Sequence, residues 1–223
     1  MNEVRTLLML FNTPLSRKEL PWFRGAVIKL LPRQNILYHN HAQEGLRYAY
    51  PLIQYKCIGG KAALLCVADG VEAIGHLLEA KALNITIGQR PETLQIKRID
   101  ATRHNVQESS TPITYQLRDW LPLNGKNYER FAAEEGVAER IRLLEGTLTG
   151  NILSMLKGVG IYLGFTLRTT ITSVAPMHRI SYKGVQLLAM DIQFKTNVSL
   201  PEHIGLGRHA SIGYGTLNRI SKY

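Results

Sequence analysis

The sequence has few cysteines and no long apolar run, and both absences narrow what the protein can be. With two cysteines in 223 residues, at most one disulfide can form. The longest uncharged apolar stretch, Gly158 to Leu167, is about half the length that a membrane-spanning helix requires. The apolar run Leu7–Phe11 is too short for a secretory signal. We therefore expect a cytoplasmic protein without a membrane-spanning segment.

The two cysteines, Cys57 and Cys66, lie on either side of Gly59-Gly60, a dipeptide typical of a tight hairpin turn. Pairing the strands about this turn sets Cys57 opposite Ala62 and Cys66 opposite Ile53, so the thiols do not face each other. The sequence therefore predicts two free thiols, which are typical of a reducing compartment.

Acidic residues are the scarcer charged class. The chain has 17 Asp and Glu against 27 Lys and Arg, a formal net charge of +10. A composition of 45% hydrophobic and 20% charged residues is that of a folded chain and excludes a disordered one. Because excess positive charge attracts polyanions, nucleic acid is the leading partner class.

The first half of the chain alternates strand and helix signals. A capping box, Ser16-x-x-Glu19, predicts the start of one helix, and Asp69 ahead of an apolar pattern of helical spacing predicts another. The predicted elements are a strand over residues 4–11, a helix from Ser16 to Leu31, a hairpin over residues 50–68, a helix over residues 70–83 and a strand over residues 93–106. This βαββαβ order indicates an α+β, ferredoxin-like domain, as in RNA recognition motifs.

A polar stretch ending in proline, residues 107–112 (QESSTP), lies near the midpoint and predicts a domain boundary. We expect two domains, residues 1–108 and 109–223. The second begins with a strand, as the first does.

The second half repeats the order strand, helix, hairpin. Residues 127–157 predict one or two helices with a break near Gly146–Gly150. Residues 165–198 predict long strands, interrupted at Ala175-Pro176 and Lys183-Gly184. The sequence thus indicates a second ferredoxin-like unit.

From Ser199 to Gly215 a glycine-rich loop replaces a second helix. The motif G-x-G-x5-G-x-G is formed by Gly205, Gly207, Gly213 and Gly215. Such glycines mark backbone that takes positive φ or closely approaches another group. No Gly-Lys-Ser/Thr follows, which excludes a Walker loop, and no helix follows, which excludes a dinucleotide fingerprint. Two interpretations remain: a loop whose amides line a phosphate backbone, or a bulged turn between strands.

The segment GLGRHASIGYG, the repeated element order and the basic charge resemble the CRISPR-associated endoribonucleases of the RAMP superfamily, which cut precursor CRISPR RNA within its repeats. The segments PWFRGAVIKLLP, YHNH and YPLIQYK are similar to N-terminal sequences of that family. The resemblance implies two tandem ferredoxin-like domains, a metal-independent cut in RNA without a cofactor, and a catalytic histidine near the first helix. CRISPR repeat RNA is the implied partner; effector-complex subunits and a second copy of the chain stay open as further partners.

The tetrad Tyr38-His39-Asn40-His41 follows the first predicted helix, and Lys56 lies on the next strand. Cutting RNA without a metal needs a base, an acid and a cation for the phosphate charge. Histidine can do either proton transfer near neutrality. We predict His41 and Lys56 as the catalytic pair, His39 as the substitute for His41, and Tyr38 as a group that orients a ribose or stacks on a base.

Two other interpretations of the histidines stay open. Two histidines in a polar loop are most often solvated. A zinc site formed by His39, His41, His203 and His209 is disfavoured because no cysteine or carboxylate lies at ligand spacing with them.

RNA contacts are predicted for the glycine-rich loop and for basic residues of the first helix. The predicted set is Gly205, Gly207, Arg208, His209, Gly213, Gly215, Arg24 and Lys29. Valine at Gly213 is expected to weaken RNA binding and to leave the fold intact. A non-catalytic RNA-binding RAMP subunit of a CRISPR effector complex is the alternative function, and a metabolic ferredoxin-fold protein fits the charge poorly.

Overall fold

The chain forms two compact units in a computed structural model. The residues that it describes are 2–30, 41–42, 45–46, 50–79, 83–182 and 184–220. Apart from the two N-terminal residues, unit 1 comprises Glu3–His104 and Ser211–Gly213, and unit 2 comprises Asn105–Ala210 and Tyr214–Tyr223. In the described ranges, no helix is long and apolar enough to cross a membrane.

Unit 1 has the ferredoxin-like order that the sequence predicts. Its elements are β1 Glu3–Pro14, α1 Leu20–Lys29, β2 His41–Ala42, β3 Gly45–Leu46, β4 Ile53–Ile58, β5 Lys61–Val67, α2 Gly70–Ala73, α3 Gly75–Leu78, β6 Asn84–Ile87, β7 Arg90–Thr93 and β8 Ile96–Asn105. The main sheet has the order β4-β5-β1-β8. Along the chain, α1 lies between β1 and β4, and α2 and α3 lie between β5 and β8. This chain order and the sheet order together are those of a βαββαβ fold.

The capping box at Ser16 is confirmed, but it opens a 3-10 turn, Arg17–Glu19, and α1 begins at Leu20. The predicted cap of the second helix is wrong. The backbone N–H and the hydroxyl of Ser16 donate to Glu19 Oε2 at 2.8 and 2.7 Å. These two bonds hold the pKa of Glu19 below its usual value, and the bond from the backbone N–H has the larger effect. Asp69 makes no side-chain cap bond, because its own backbone is already helical, and the predicted helix is broken at Ile74 into α2 and α3.

The hairpin of β4 and β5 has the predicted register. Cys57 pairs with Ala62 and Cys66 with Ile53, and both cysteines are free thiols. Burial raises the pKa of Cys66 to about 12, so this thiol stays protonated and unreactive near neutrality.

Unit 2 repeats the sheet order of unit 1. Its elements are β9 Glu108–Trp120, α4 Gly125–Ala133, α5 Val137–Gly158, β10 Thr169–Val174, β11 His178–Tyr182, β12 Val185–Val198 and β13 Thr216–Arg219. The order is β10-β12-β9-β13, with β11 paired to β12. The described residues 199–215 contain a 3-10 turn, Ala210–Ile212, and no α-helix, as predicted.

The predicted break near Gly146–Gly150 is wrong, because α5 continues through both glycines. Its buried residues recur at helical spacing: Leu144, Leu148, Ile152, Met155 and Leu156. Burying this stripe outweighs the cost of two helical glycines, about 1 kcal/mol each. The strand interruptions are confirmed, since β10 ends at Val174, β11 spans His178–Tyr182 and β12 begins at Val185.

Candidate functional site

The predicted catalytic tetrad is described only in part. Tyr38 and His39 lie outside the described residues. His41 begins β2, and its backbone pairs with Leu46 of β3. The structure describes the backbone of His41 and not its side chain. The geometry between His41 and Lys56 therefore stays a prediction.

Lys56, the predicted cation for the phosphate, lies on β4 and is buried, with 1% of its surface exposed. Its cross-strand neighbour is Ala63. Desolvation by burial lowers the pKa of Lys56 to about 7. Near neutral pH this amine therefore exists in both protonation states, and it could transfer a proton as well as supply a charge.

Gln54 is the second buried polar residue of β4, two residues before Lys56 and so on the same face of the strand. Its amide Nε2 donates to Tyr50 Oη at 2.8 Å and to the Pro51 carbonyl at 3.1 Å. Tyr55, between them, packs in the core of unit 1 with Phe23. The face of β4 opposite to this core thus carries a buried amine and a buried amide.

The glycine-rich loop needs its glycines for contacts inside the protein. Gly207, Gly213 and Gly215 have φ of 82°, 85° and 60°, which favours glycine. A Cβ on Gly215 would overlap the Leu206 carbonyl, and one on Gly205 would lie 2.7 Å from Ala210 Cβ. The loop therefore folds tightly on itself.

Gly207 covers a hydrogen bond between a strand and a helix of unit 2. The indole N–H of Trp120 donates to Asn151 Oδ1 at 2.9 Å, and a Cβ on Gly207 would lie 2.6 Å from that oxygen. In unit 1, a Cβ on Gly213 would lie 2.7 Å from Leu20 Cδ1. Valine at Gly213 is thus expected to destabilise the fold, which corrects the expectation from the sequence.

Alanine at Gly215 is expected to lower the free energy of unfolding by about 1 to 3 kcal/mol, because the residue must keep a positive φ beside the Leu206 carbonyl. Denaturant unfolding measures this. The matched control is Gly150→Ala: Gly150 lies in α5 with no atom near its added Cβ, so alanine there should raise stability by about 0.5 to 1 kcal/mol. Equal stability of Gly215→Ala and the unchanged chain would contradict the structural role of this glycine.

The charged and aromatic residues of the loop reach the surface. Arg208 is exposed, and its Nη1 donates to the Leu123 carbonyl at 2.9 Å. His209 is half-buried with φ of 56°. In unit 1, Lys29 on α1 is exposed and Arg24 is half-buried. These four residues are placed where solvent reaches them, and their contacts with RNA stay predictions.

One group of titratable side chains was missed by the sequence reasoning. His178 Nε2 lies 2.9 Å from Asp119 Oδ1, and Asp191 Oδ1 accepts the backbone N–H of Asp119 at 2.7 Å. Their ligand atoms lie within 4.8 Å of one another. Hydrogen bonds within the group account for this geometry, and we assign no metal to it. In the part of the chain that the structure describes, neither His203 nor His209 belongs to a group of three with metal-ligand spacing.

Both halves of the chain match domain models of one protein family. Residues 2–105 match the family model of the Cas6b N-terminal domain, and residues 107–220 match that of the Cas6b C-terminal domain. An uncharacterized protein of Methanocaldococcus jannaschii is 33% identical over 111 residues, which are 48% of this chain and 71% of that protein.

Two solved structures share the fold across nearly all of the chain. A crystal structure of Cas6b is 22% identical, with a TM-score of 0.89 over 98% of this chain and 100% of that one. A crystal structure of the CRISPR RNA processing endoribonuclease Cas6b is 20% identical, with a TM-score of 0.74 over the same shares. At these identities the likeness shows the tandem ferredoxin-like fold.

Proposed function

Because the chain belongs to the Cas6b family, we propose that it is an endoribonuclease that cuts precursor CRISPR RNA within its repeats. The observation that carries the proposal is the match of both domain models, which together span residues 2–105 and 107–220. A similar structure is that of a CRISPR RNA processing endoribonuclease. The formal charge of +10 suits a polyanionic substrate.

The proposed reaction needs no metal or cofactor. The ribose 2′-hydroxyl on the 5′ side of the cut loses its proton to a base and attacks the neighbouring phosphorus. The bond to the 5′-oxygen breaks, and an acid protonates that oxygen. The products are a 2′,3′-cyclic phosphate and a 5′-hydroxyl. We assign one proton transfer to His41, with His39 as its substitute, and ribose or base contact to Tyr38.

Lys56 is proposed to offset the negative charge that grows on the phosphate during attack. Burial alone favours its neutral form, which is why its pKa is lowered to about 7. A phosphate placed beside the amine would favour the charged form instead. Binding of the substrate would thus favour the protonated amine that the reaction needs.

Incubation with the protein's own repeat RNA in excess EDTA tests the proposal. We expect cutting at one position within the repeat and none in an unrelated RNA of equal length. Tight binding of the repeat without cutting would instead support the RNA-binding effector subunit. Failure to bind either RNA would contradict both and leave a metabolic ferredoxin-fold protein.

Affinity for repeat RNA is expected to fall steeply with salt, because each neutralised phosphate releases counterions. Lys29→Gln removes one exposed charge from α1 and should reduce the slope of log K against log salt by about 0.7 to 0.9, one phosphate contact. Lys157→Gln, at an exposed lysine of α5 outside the predicted set, is the matched control. A slope that is flat, or equally reduced by both variants, would contradict the predicted contact.

A further inference from the structure

Three aromatic rings meet where the glycine-rich loop passes the end of β11 in unit 2. The rings of Tyr182 and His209 have centroids 4.7 Å apart with planes tilted by 51°. Those of His209 and Tyr214 have centroids 6.0 Å apart in an edge-to-face arrangement. All three side chains are half-buried. We call Tyr182, His209 and Tyr214 the aromatic cluster.

The backbone of the loop holds the central ring of the cluster in place. His209 takes φ of 56°, in the left-handed region where histidine is among the more tolerated residues. Close contact between Gly205 and Ala210 fixes the loop on both sides of it. A ring on such a constrained backbone loses little further freedom when a ligand binds, so it is preorganised.

A basic residue adjoins the aromatic cluster in the sequence. Arg208 precedes His209 in the chain and is exposed, with Nη1 bonded to the Leu123 carbonyl. A guanidinium has five N–H donors, so this bond anchors the group and leaves donors for a phosphate. Aromatic faces next to a cation match an unpaired nucleotide, whose base has a π-face and whose phosphate is an anion.

We propose that the aromatic cluster stacks one unpaired base of the repeat RNA, with Arg208 contacting the adjoining phosphate. This assignment rests on the proposed function, since it names a specificity-determining contact for the same RNA. Tyr182 and Tyr214 were not among the residues that the sequence predicted. The cluster would fix which nucleotide lies at the loop and so the position of the repeat on the protein.

Binding measurements on a cut-blocked repeat RNA, with a 2′-deoxy nucleotide before the cut, test the proposal separately from cleavage. Tyr182→Leu keeps an apolar side chain and removes the π-face, so it should bind about 5- to 150-fold more weakly, the range measured when a base loses its aromatic partner. Tyr182→Phe should bind as the unchanged protein does. Tyr162→Ala, at a tyrosine 71% exposed and outside the cluster, is the control and should change nothing.

A single abasic nucleotide, moved along the unpaired positions of the same RNA, identifies the stacked base. At one position the abasic site should weaken binding by the unchanged protein as much as Tyr182→Leu does. At that position the abasic site should not weaken RNA binding by Tyr182→Leu any further. Additive losses at every position, or a folded Tyr182→Leu with unchanged affinity, would overturn the proposal. Coupling at one position in a protein that does not cut would support stacking and contradict only the proposed chemistry.

Should Tyr182→Leu fail to fold, His209→Asn provides the second test. Asparagine tolerates the positive φ of this position, and it removes the central ring. Its loss of affinity should couple to the same abasic position. Absence of that coupling in the folded variant would overturn the proposal.

Discussion

His41→Ala is expected to cut repeat RNA about 10²- to 10⁴-fold more slowly than the unchanged protein, the usual contribution of a positioned acid or base. RNA affinity should stay about the same, because the transferred proton matters in the transition state and little in the bound ground state. Single-turnover rates at saturating protein measure the effect. His104→Ala, at a histidine of β8, is the matched control and should cut at the unchanged rate.

The neighbouring histidine separates an error of assignment from an error of mechanism. If His39→Ala loses the activity and His41→Ala keeps it, the roles are exchanged and the mechanism holds. A double variant that still cuts would contradict the histidine mechanism. So would activity that depends on a divalent metal.

Lys56→Met is expected to raise the free energy of unfolding by about 4 kcal/mol at pH 7. The unfolded chain binds a proton at Lys56 up to about pH 10.5, whereas the folded chain releases it above about pH 7. The folded state therefore loses stability as the pH falls from 10.5 to 7, and the full destabilisation by Lys56 is present below pH 7. Methionine fills a similar volume without an ionisable group.

Denaturant unfolding of Lys56→Met and the unchanged protein, at pH 7 and near pH 10, measures this effect. The difference between the two should shrink toward zero at the higher pH, since the other titrating groups are common to both. A difference independent of pH would contradict a buried amine with a lowered pKa. The same variant should cut more slowly, because it no longer offsets the phosphate charge.

The sequence predicted element order and hairpin register well because both depend on local signals. The turn Gly59-Gly60 and the apolar strands beside it specify which residues pair, and Cys57 indeed lies opposite Ala62. The capping box at Ser16 is likewise a four-residue pattern. Such features need no knowledge of distant parts of the chain.

Errors arose where tertiary packing outweighs local preference. Glycines within α5 suggested a break, but the buried stripe from Leu144 to Leu156 keeps the helix continuous. Lys56 was predicted as a cation for the phosphate, and only the assembled structure shows that it is buried. The contact of His178 with Asp119 joins residues 59 positions apart, which no sequence spacing reveals.

The sequence could predict only those parts of the candidate site whose residues lie close together in the chain. The motif from Gly205 to Gly215 marked the loop, and the structure shows that close packing within the protein requires its glycines. Of the two rings that contact His209, Tyr214 lies within this motif and Tyr182 does not. Tyr182 comes from a strand outside the motif and is brought to the loop by the fold.

Attack by the 2′-hydroxyl is tested most directly by a single 2′-deoxy substitution in the repeat RNA, on the nucleotide 5′ of the cut. In EDTA, the unmodified RNA should be cut to products with a 2′,3′-cyclic phosphate and a 5′-hydroxyl, and the substituted RNA should stay intact while binding as tightly. Cutting of the substituted RNA, or products with a 3′-hydroxyl and a 5′-phosphate, would contradict the mechanism.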